Sequence, residues 1–384
     1  MNLYLASYET SRGKRFCPST LKFNWDLEIN ISTLQQRLSN QTYYPGPYHP
    51  FMVYDSKKRE ILAPTFPDRV VHSALHRIIE PIFDPSFIFD SYACRKGKGT
   101  HRAIKRLQSF LKSAFMTNSR PSVASAERER ERERERETNR SGKFTPLIKN
   151  FRSLDGGTNK LNIQIKNRPS LRAGVNGVYA LQGDISRYFQ NINHDILFNL
   201  IQKKIRDKFV LNLIKIIIDS HAPGLPIGNL TSQLFANIYL NELDKFVKHT
   251  LHLRYYLRYM DDFLILAYTK QEAWRLKTEI EQFLKYRLKL SLNSKRSTVT
   301  PVFKGLNFLG YVVFPDHCLL RPATVKRYTK KARARLRKFG ERFLISPEFK
   351  KSWASWDGYA KFASSWHLRK KIIVNLKKYA QQLN

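Results

Sequence analysis

The chain is short of cysteine, of acidic side chains and of long apolar runs, and each shortage excludes something. Its three cysteines, Cys17, Cys94 and Cys318, are odd in number and far apart. They supply neither a disulfide framework nor a paired zinc motif, and a reducing cytoplasmic setting is expected. The longest apolar run, around 211–218, is broken by Asn212 and Lys215 and falls short of the roughly 18 residues a membrane helix needs. The opening Met1-Asn2-Leu3-Tyr4-Leu5-Ala6-Ser7 has no long apolar stretch behind a basic start, so no secretory signal is expected.

Acids number 31 against 68 Lys and Arg, a formal charge of +37. That charge calls for a polyanion, either nucleic acid or an anionic membrane, and the lack of spanning runs favours nucleic acid. A ribosome-like structural protein fits the charge equally well. The 25 Phe and 19 Tyr in 384 residues argue for packed cores in two or three domains.

A strand starting at Val53 is expected to read through Lys57-Lys58-Arg59 and out through Ile61-Leu62-Ala63. A helix capped by Asp68 follows, then another from about His101 to Leu111. From about Thr117 to Gly177 the chain changes character. Glu127 to Glu137 alternates six Glu with five Arg, so like charges fall at i+4, opposite charges at i+3, and helical support cancels. The segment reads as a solvated, disordered insertion. Order resumes with Val178-Tyr179-Ala180-Leu181, a buried-strand pattern ending at Asp184. Two short strands, Tyr255 to Tyr259 and Phe263 to Ala267, flank Met260-Asp261-Asp262. Strands alternating with helices indicate an α+β or α/β core.

Asp261 and Asp262 occupy the tip of an apolar hairpin, and Asp184 ends a second apolar strand. Adjacent carboxylates in a buried hairpin repel one another and need a compensating cation. Three carboxylates at one sheet edge make an all-oxygen site suited to two Mg²⁺, which can activate an attacking hydroxyl and stabilise leaving pyrophosphate. A solvated Asp-Asp turn with an unrelated Asp184 is the plain alternative.

Tyr259-Met260-Asp261-Asp262, with Asp184-Ile185-Ser186-Arg187-Tyr188-Phe189 upstream, resembles the palm of reverse transcriptases. Around Arg95-Lys96-Gly97 and Gly305 to Tyr311 the chain is similar to the bacterial, group II intron-like branch. The resemblance implies an α+β right-hand polymerase fold: N-terminal region and fingers (1–115), the insertion (116–177), a palm with an antiparallel sheet and the remaining fingers elements (178–320), and a basic helical thumb (321–384). It implies that Asp184, Asp261 and Asp262 bind two Mg²⁺, which Mn²⁺ can replace, with the Ile185 carbonyl assisting. Phe189 falls at the family's steric gate against a ribose 2′-hydroxyl, where a core aromatic is the competing reading. Lys57, Arg59 and Arg95 match fingers positions that contact the triphosphate, although a solvated basic face would look the same. Lys295 resembles the lysine assigned to protonating pyrophosphate.

The loop Leu225-Pro226-Ile227-Gly228-Asn229-Leu230-Thr231-Ser232-Gln233 is the most discriminating piece. Most reverse transcriptases carry Gln-Gly and later Ser-Pro; here stand Ile227-Gly228 and Ser232-Gln233. That pattern resembles the enzymes of diversity-generating retroelements, which copy a template RNA into cDNA with errors at adenines. It places Ile227, Gly228 and Gln233 beside the dNTP and implies a basic, oligomeric accessory protein and a bacterial, archaeal or phage source. An apolar Ile227 offers no hydrogen bond to the pocket, which weakens discrimination. The alternatives are an Ile227 that merely fills space, a retron- or intron-like enzyme, and an inactive nucleic-acid binder. No endonuclease or maturase-length extension is expected beyond Asn384, and on that expectation the intron-like reading is the weaker one.

Between Arg321 and Asn384, eighteen Lys and Arg face only Glu341, Glu348 and Asp357. Lys330, Lys331 and Arg335 are expected to grip template–primer phosphates, with Arg69 as a further nucleic-acid contact. Trp353, Trp356, Tyr359, Phe362 and Trp366, at helical spacing, are read as thumb core rather than stacking platforms. His72, His76 and Glu80 share a helix face; a solvent- or RNA-facing stripe fits them better than zinc.

Overall fold

In the computed structural model residues 1–54, 58–118 and 177–383 are described. Three short helices lead the chain: α1 (Asn2–Ser11), α2 (Pro18–Trp25) and α3 (Leu27–Ser39). Ala6, Phe23, Ile31 and Leu34 seat them on Phe66, Val70 and Val71 of α4 (Phe66–Phe83). Between α3 and α4 the expected single strand is a hairpin, β1 (His49–Tyr54) against β2 (Lys58–Ala63), with Val53 opposite Arg59. Lys57 lies outside the described residues. α4 starts before the expected cap. Thr65 is the N-cap and accepts the Asp68 N–H, while the Asp68 carboxylate takes hydrogen bonds from Tyr43 Oη at 2.8 Å and Gly46 N at 3.0 Å. Asp68 is therefore a buried brace inside the first turn.

α5 (Thr100–Asn118) runs well beyond Leu111 and takes in the first residues assigned to the insertion. The remainder of that insertion, 119–176, lies outside the described residues. The palm sheet has the order β4-β5-β3-β6, all antiparallel, from β3 (Tyr179–Asp184), β4 (Tyr256–Tyr259), β5 (Asp262–Ala267) and β6 (Thr298–Pro301). Leu181, Phe263 and Ile265 face a core built with α6 (His194–Gln202), α7 (Lys208–Asp219), α8 (Leu230–Lys245) and α9 (Lys270–Leu288). Ala180, Leu264 and Leu266 face a second core, with α5 and the C-terminal helices. Burial on both faces is why these strands read as continuous apolar runs instead of alternating.

A three-stranded sheet, β7 (Leu306–Phe308), β8 (Tyr311–Val313) and β9 (Cys318–Leu320), joins palm to thumb. Its strands are too short for periodicity to announce. The thumb comprises α10 (Pro322–Phe339), α11 (Arg342–Ile345), α12 (Pro347–Ala360) and α13 (Trp366–Gln381). Leu336, Phe343, Phe349, Trp356 and Leu376 form its interior. Trp353, Tyr359 and Phe362 pack against that interior as expected, but Trp366 does not: it is 53% exposed, with Lys370 Nζ over its ring. The α+β class is as expected. No helix among the described residues is long and apolar enough to cross a membrane.

Candidate active site

Asp184 ends β3 and Asp262 begins β5, and the sheet register sets them directly opposite one another. Asp261 precedes Asp262 in the turn from β4. One residue before Asp184, Gly183 lies under the ring of Phe263; a Cβ there would stand 2.1 Å from Phe263 Cζ, so only glycine lets the strands close. The loop before β6 holds the backbone of Asp184. Its carbonyl accepts Asn293 N at 2.7 Å and Ser297 Oγ at 3.3 Å, and its N–H donates to Ser297 Oγ at 3.2 Å. Buried Ile185 bridges to Leu292 beside it.

The electrostatics are those of crowded acids. Burial raises the Asp261 carboxyl, and the charge of Asp184 adds to that. Asp262 is pushed up to about 8 by burial first, then by Asp261 and Asp184, with a hydrogen bond to Asp184 contributing. The repulsion among these buried carboxylates is what a cation at this edge would relieve. Arg59, on the fingers hairpin, pulls both Asp261 and Asp262 down, so its charge reaches the site. Arg296 Nη1 stands 3.8 Å from Asp184 Oδ1. Among the described residues no three His, Cys, Asp or Glu side chains are already drawn into a ligand cage.

Phe189 is half-buried on the edge of the palm core, edge-on to Tyr188 at 5.5 Å. Its carbonyl accepts Leu225 N at 2.7 Å, which ties it to the loop before α8. That loop meets the fingers directly, since Leu62 N donates to Ile227 O at 2.9 Å. Gly228 has φ +135°, and a Cβ there would stand 2.8 Å from Leu62 O. Ile227 and Gly228 thus meet β2 at Ile61 and Leu62, on the strand that carries Arg59, with half-buried Gln233 one turn into α8.

Other expected site residues fall elsewhere. Arg95 is committed to structure: Nε bonds Asp84 Oδ1 at 2.6 Å, and Nη1 donates to the carbonyls of Ile88 at 2.8 Å and Ser91 at 3.1 Å. Its guanidinium is not free to receive a triphosphate. Lys295 is exposed on the turn after Asn293, and Arg296 is the nearer cation to Asp184. Arg69 lies over Phe66 at 5.1 Å and reaches Ser19 Oγ at 3.4 Å. Lys330, Lys331 and Arg335 are exposed on α10, where Arg335 Nη1 stands 3.9 Å from Glu348 Oε2. The stripe expected at His72 is not a solvent face: His72 is buried, its Nδ1 lies 2.6 Å from Thr231 Oγ1, and burial lowers it to about 4. Only His76 and Glu80 pair, at 3.7 Å.

Sequence reasoning missed the support under the turn. Arg258, fully buried in β4, is clamped by Asp244 Oδ1 at 2.7 Å and Oδ2 at 2.6 Å, and donates to Asn237 Oδ1 at 3.1 Å. Tyr256 Oη donates to the same Asp244 at 2.6 Å. A charged residue inside an apolar strand beside the motif, and an acid inside apolar α8, were the available signals.

Residues 137–313 match the family described as "Reverse transcriptase (RNA-dependent DNA polymerase)", a match that begins within the segment read as an insertion. The group II intron-encoded protein LtrA of Lactococcus lactis subsp. cremoris is 24% identical over 378 residues, covering 79% of this chain and 52% of that protein. Protein YkfC of Escherichia coli K12 is 23% identical over 333 residues, covering 74% of this chain and 71% of that one. The chain thus spans about half the length of LtrA. Among solved structures, apo telomerase from Candida tropicalis aligns with TM-score 0.48 at 11% identity, covering 89% of this chain and 64% of that one. Residues 137–313 thus match a reverse transcriptase domain, within an α+β fold, and the chain is similar over most of its length to a protein encoded by a group II intron.

Proposed function

We propose that the chain is an RNA-directed DNA polymerase that joins dNTPs on an RNA template at Asp184, Asp261 and Asp262. The observation that carries this reading is the register that sets Asp184 opposite Asp262 with Asp261 in the adjoining turn. The donor set fits hard divalent cations: it is all oxygen, and the burial that drives Asp262 up to about 8 is a cost that cation binding removes. Two Mg²⁺, or Mn²⁺ in their place, would be held by these carboxylates with the Ile185 carbonyl. When bound they supply activation of the primer hydroxyl and stabilisation of pyrophosphate. Arg59 neutralises the triphosphate, with Lys57 and Lys295 as further cations. Phe189 closes on the sugar, and Ile227, Gly228 and Gln233 wall the nucleotide. Lys330, Lys331 and Arg335 hold the template–primer backbone, and Arg69 the template. The test is primer extension on RNA with dNTPs and Mg²⁺: incorporation lost in Asp261→Ala/Asp262→Ala is the expected result, and its survival overturns the assignment.

The finer reading is an enzyme of a diversity-generating retroelement, producing adenine-mutagenised cDNA with a basic oligomeric accessory protein. It rests on Ile227 in the junction loop and Gln233 one turn into α8. A group II intron-like enzyme without mutagenic role is the second reading, favoured by the likeness to LtrA. Sequencing cDNA made by the purified protein on RNA separates them. Errors concentrated at template adenines support the first, and evenly spread errors the second.

A further inference from the structure

A cavity of about 350 Å³ opens between the α1–α2 loop, α4 and the loop entering α8. Three cations wall it, Arg12, Lys14 and Arg69, and His72 and Asn229 are among its other lining residues. Glu9, also in the wall, is occupied by Arg77. Gly228 borders the cavity too, so it adjoins the loop that meets the fingers at Leu62.

Two side chains of this wall are buried with a polar atom left over. Asn229 is 2% exposed and its Oδ1 has no partner; His72 is 1% exposed and its Nε2 has none. The orientation of the Asn229 amide follows from its neighbours. Ser220 Oγ donates to Ile217 O at 2.7 Å, so at 2.8 Å it must accept from Tyr48 Oη. Tyr48 Oη can then only accept from Asn229 Nδ2, at 3.1 Å. Oδ1 is thereby left as an acceptor awaiting a donor. A buried acceptor left unmatched is destabilising, and a ligand hydroxyl can match it.

Cations beside an unmatched acceptor suit a ligand that carries both an anion and a hydroxyl. A ribonucleotide has both, as phosphate and 2′-hydroxyl, and a deoxyribonucleotide lacks the second. We propose that this cavity takes one ribonucleotide of the template strand, its phosphate against Arg12, Lys14 and Arg69 and its 2′-hydroxyl donating to Asn229 Oδ1. His72 Nε2 is the second group available to the same hydroxyl. The site would make the fingers sense RNA at one position of the template. The inference rests on the proposal that the chain copies RNA.

The test reads binding, so it does not depend on polymerisation. Fluorescence anisotropy would measure a DNA primer annealed to RNA templates that carry one 2′-deoxy substitution at successive unpaired positions. Wild type should lose about five- to tenfold in affinity at one position, the size of one hydrogen bond, and little elsewhere. Asn229→Leu should abolish that positional effect. Asn229→Asp, which keeps the acceptor, should retain it. A flat wild-type scan, or a positional effect that persists in Asn229→Leu, overturns the proposal. Absence of synthesis by wild type on every template would count against the polymerase reading alone, since the binding scan still reports on the cavity.

Discussion

Arg258 Nη1 donates to the carbonyl of Met260 at 3.1 Å, so the residue that anchors β4 also fixes the turn presenting Asp261. Met260 has φ +56°, a left-handed conformation that costs a side-chain-bearing residue energy and persists only where its surroundings impose it. Here the imposing group is a guanidinium held by a bidentate carboxylate, Asp244, on α8. The turn is thereby coupled to a helix of the palm core.

Breaking that pair should be severe. Arg258→Met leaves Asp244 buried and unpaired and should destabilise the protein by about 3–5 kcal/mol in urea unfolding. Arg258→Lys keeps the charge but loses the fork, and should also be destabilising. Arg258→Met combined with Asp244→Leu should cost less than the two changes summed. Strict additivity would show that the pair is not the coupled unit described.

The proposed metal site at Asp184, Asp261 and Asp262 predicts a separation of chemistry from binding. Asp261→Ala with Asp262→Ala should eliminate Mg²⁺-dependent dNTP incorporation while nucleic-acid affinity, which the proposal assigns to the basic C-terminal helices, stays within about twofold. Loss of binding along with activity in a filter assay would mean that the acids hold the fold instead.

The raised carboxyl of Asp262 gives a pH signature. Its folded value of about 8 lies above the ordinary carboxylate value, so the folded protein holds a proton that the unfolded chain releases. Stability of the metal-free protein should therefore be greatest at low pH through this group, and should fall between about pH 4 and 8. Asp262→Asn should flatten that slope. Mg²⁺ must displace the proton, so its stabilisation in thermal melts should be larger at pH 8 than at pH 6. A Mg²⁺ shift independent of pH would contradict the assignment.

Much of the carboxylate edge was legible because its signal is local: carboxylates at the ends of apolar strands mark their own positions. What the sequence hid was pairing at a distance. The fold-back of β1 on β2 could not be read from strands of which β1 is exposed throughout and β2 over its first half. Arg95 is basic and suitably placed in sequence, yet Asp84, eleven residues earlier, claims it. His72 shares a face with His76, but contact with Thr231 of α8 puts it in the interior. Arg258 and Asp244 lie fourteen residues apart on a strand and a helix, and no periodicity links them.

Phe189 as the sugar gate makes a selective prediction. Phe189→Ala should admit ribonucleotides, with kcat/KM for rNTPs rising about 10- to 100-fold relative to dNTPs, the range one lost steric contact provides. Because the ring also borders the palm core, Phe189→Val, which fills more of that space, should keep stability while relaxing selectivity less. An unchanged rNTP to dNTP ratio in both variants would return Phe189 to the role of packing.

Ile227 bears on fidelity through its position. Its carbonyl is held by Leu62 N, so the backbone is fixed to the fingers and the side chain is the adjustable part. Ile227→Gln restores an amide able to hydrogen-bond at the nucleotide pocket without disturbing that backbone bond. One gained hydrogen bond of about 1 kcal/mol corresponds to roughly fivefold better discrimination. Misincorporation opposite template adenine should fall by that order in cDNA sequencing, while errors at other template bases change little. An error spectrum identical to wild type would place fidelity in other residues and leave Ile227 as filler at the fingers–palm junction.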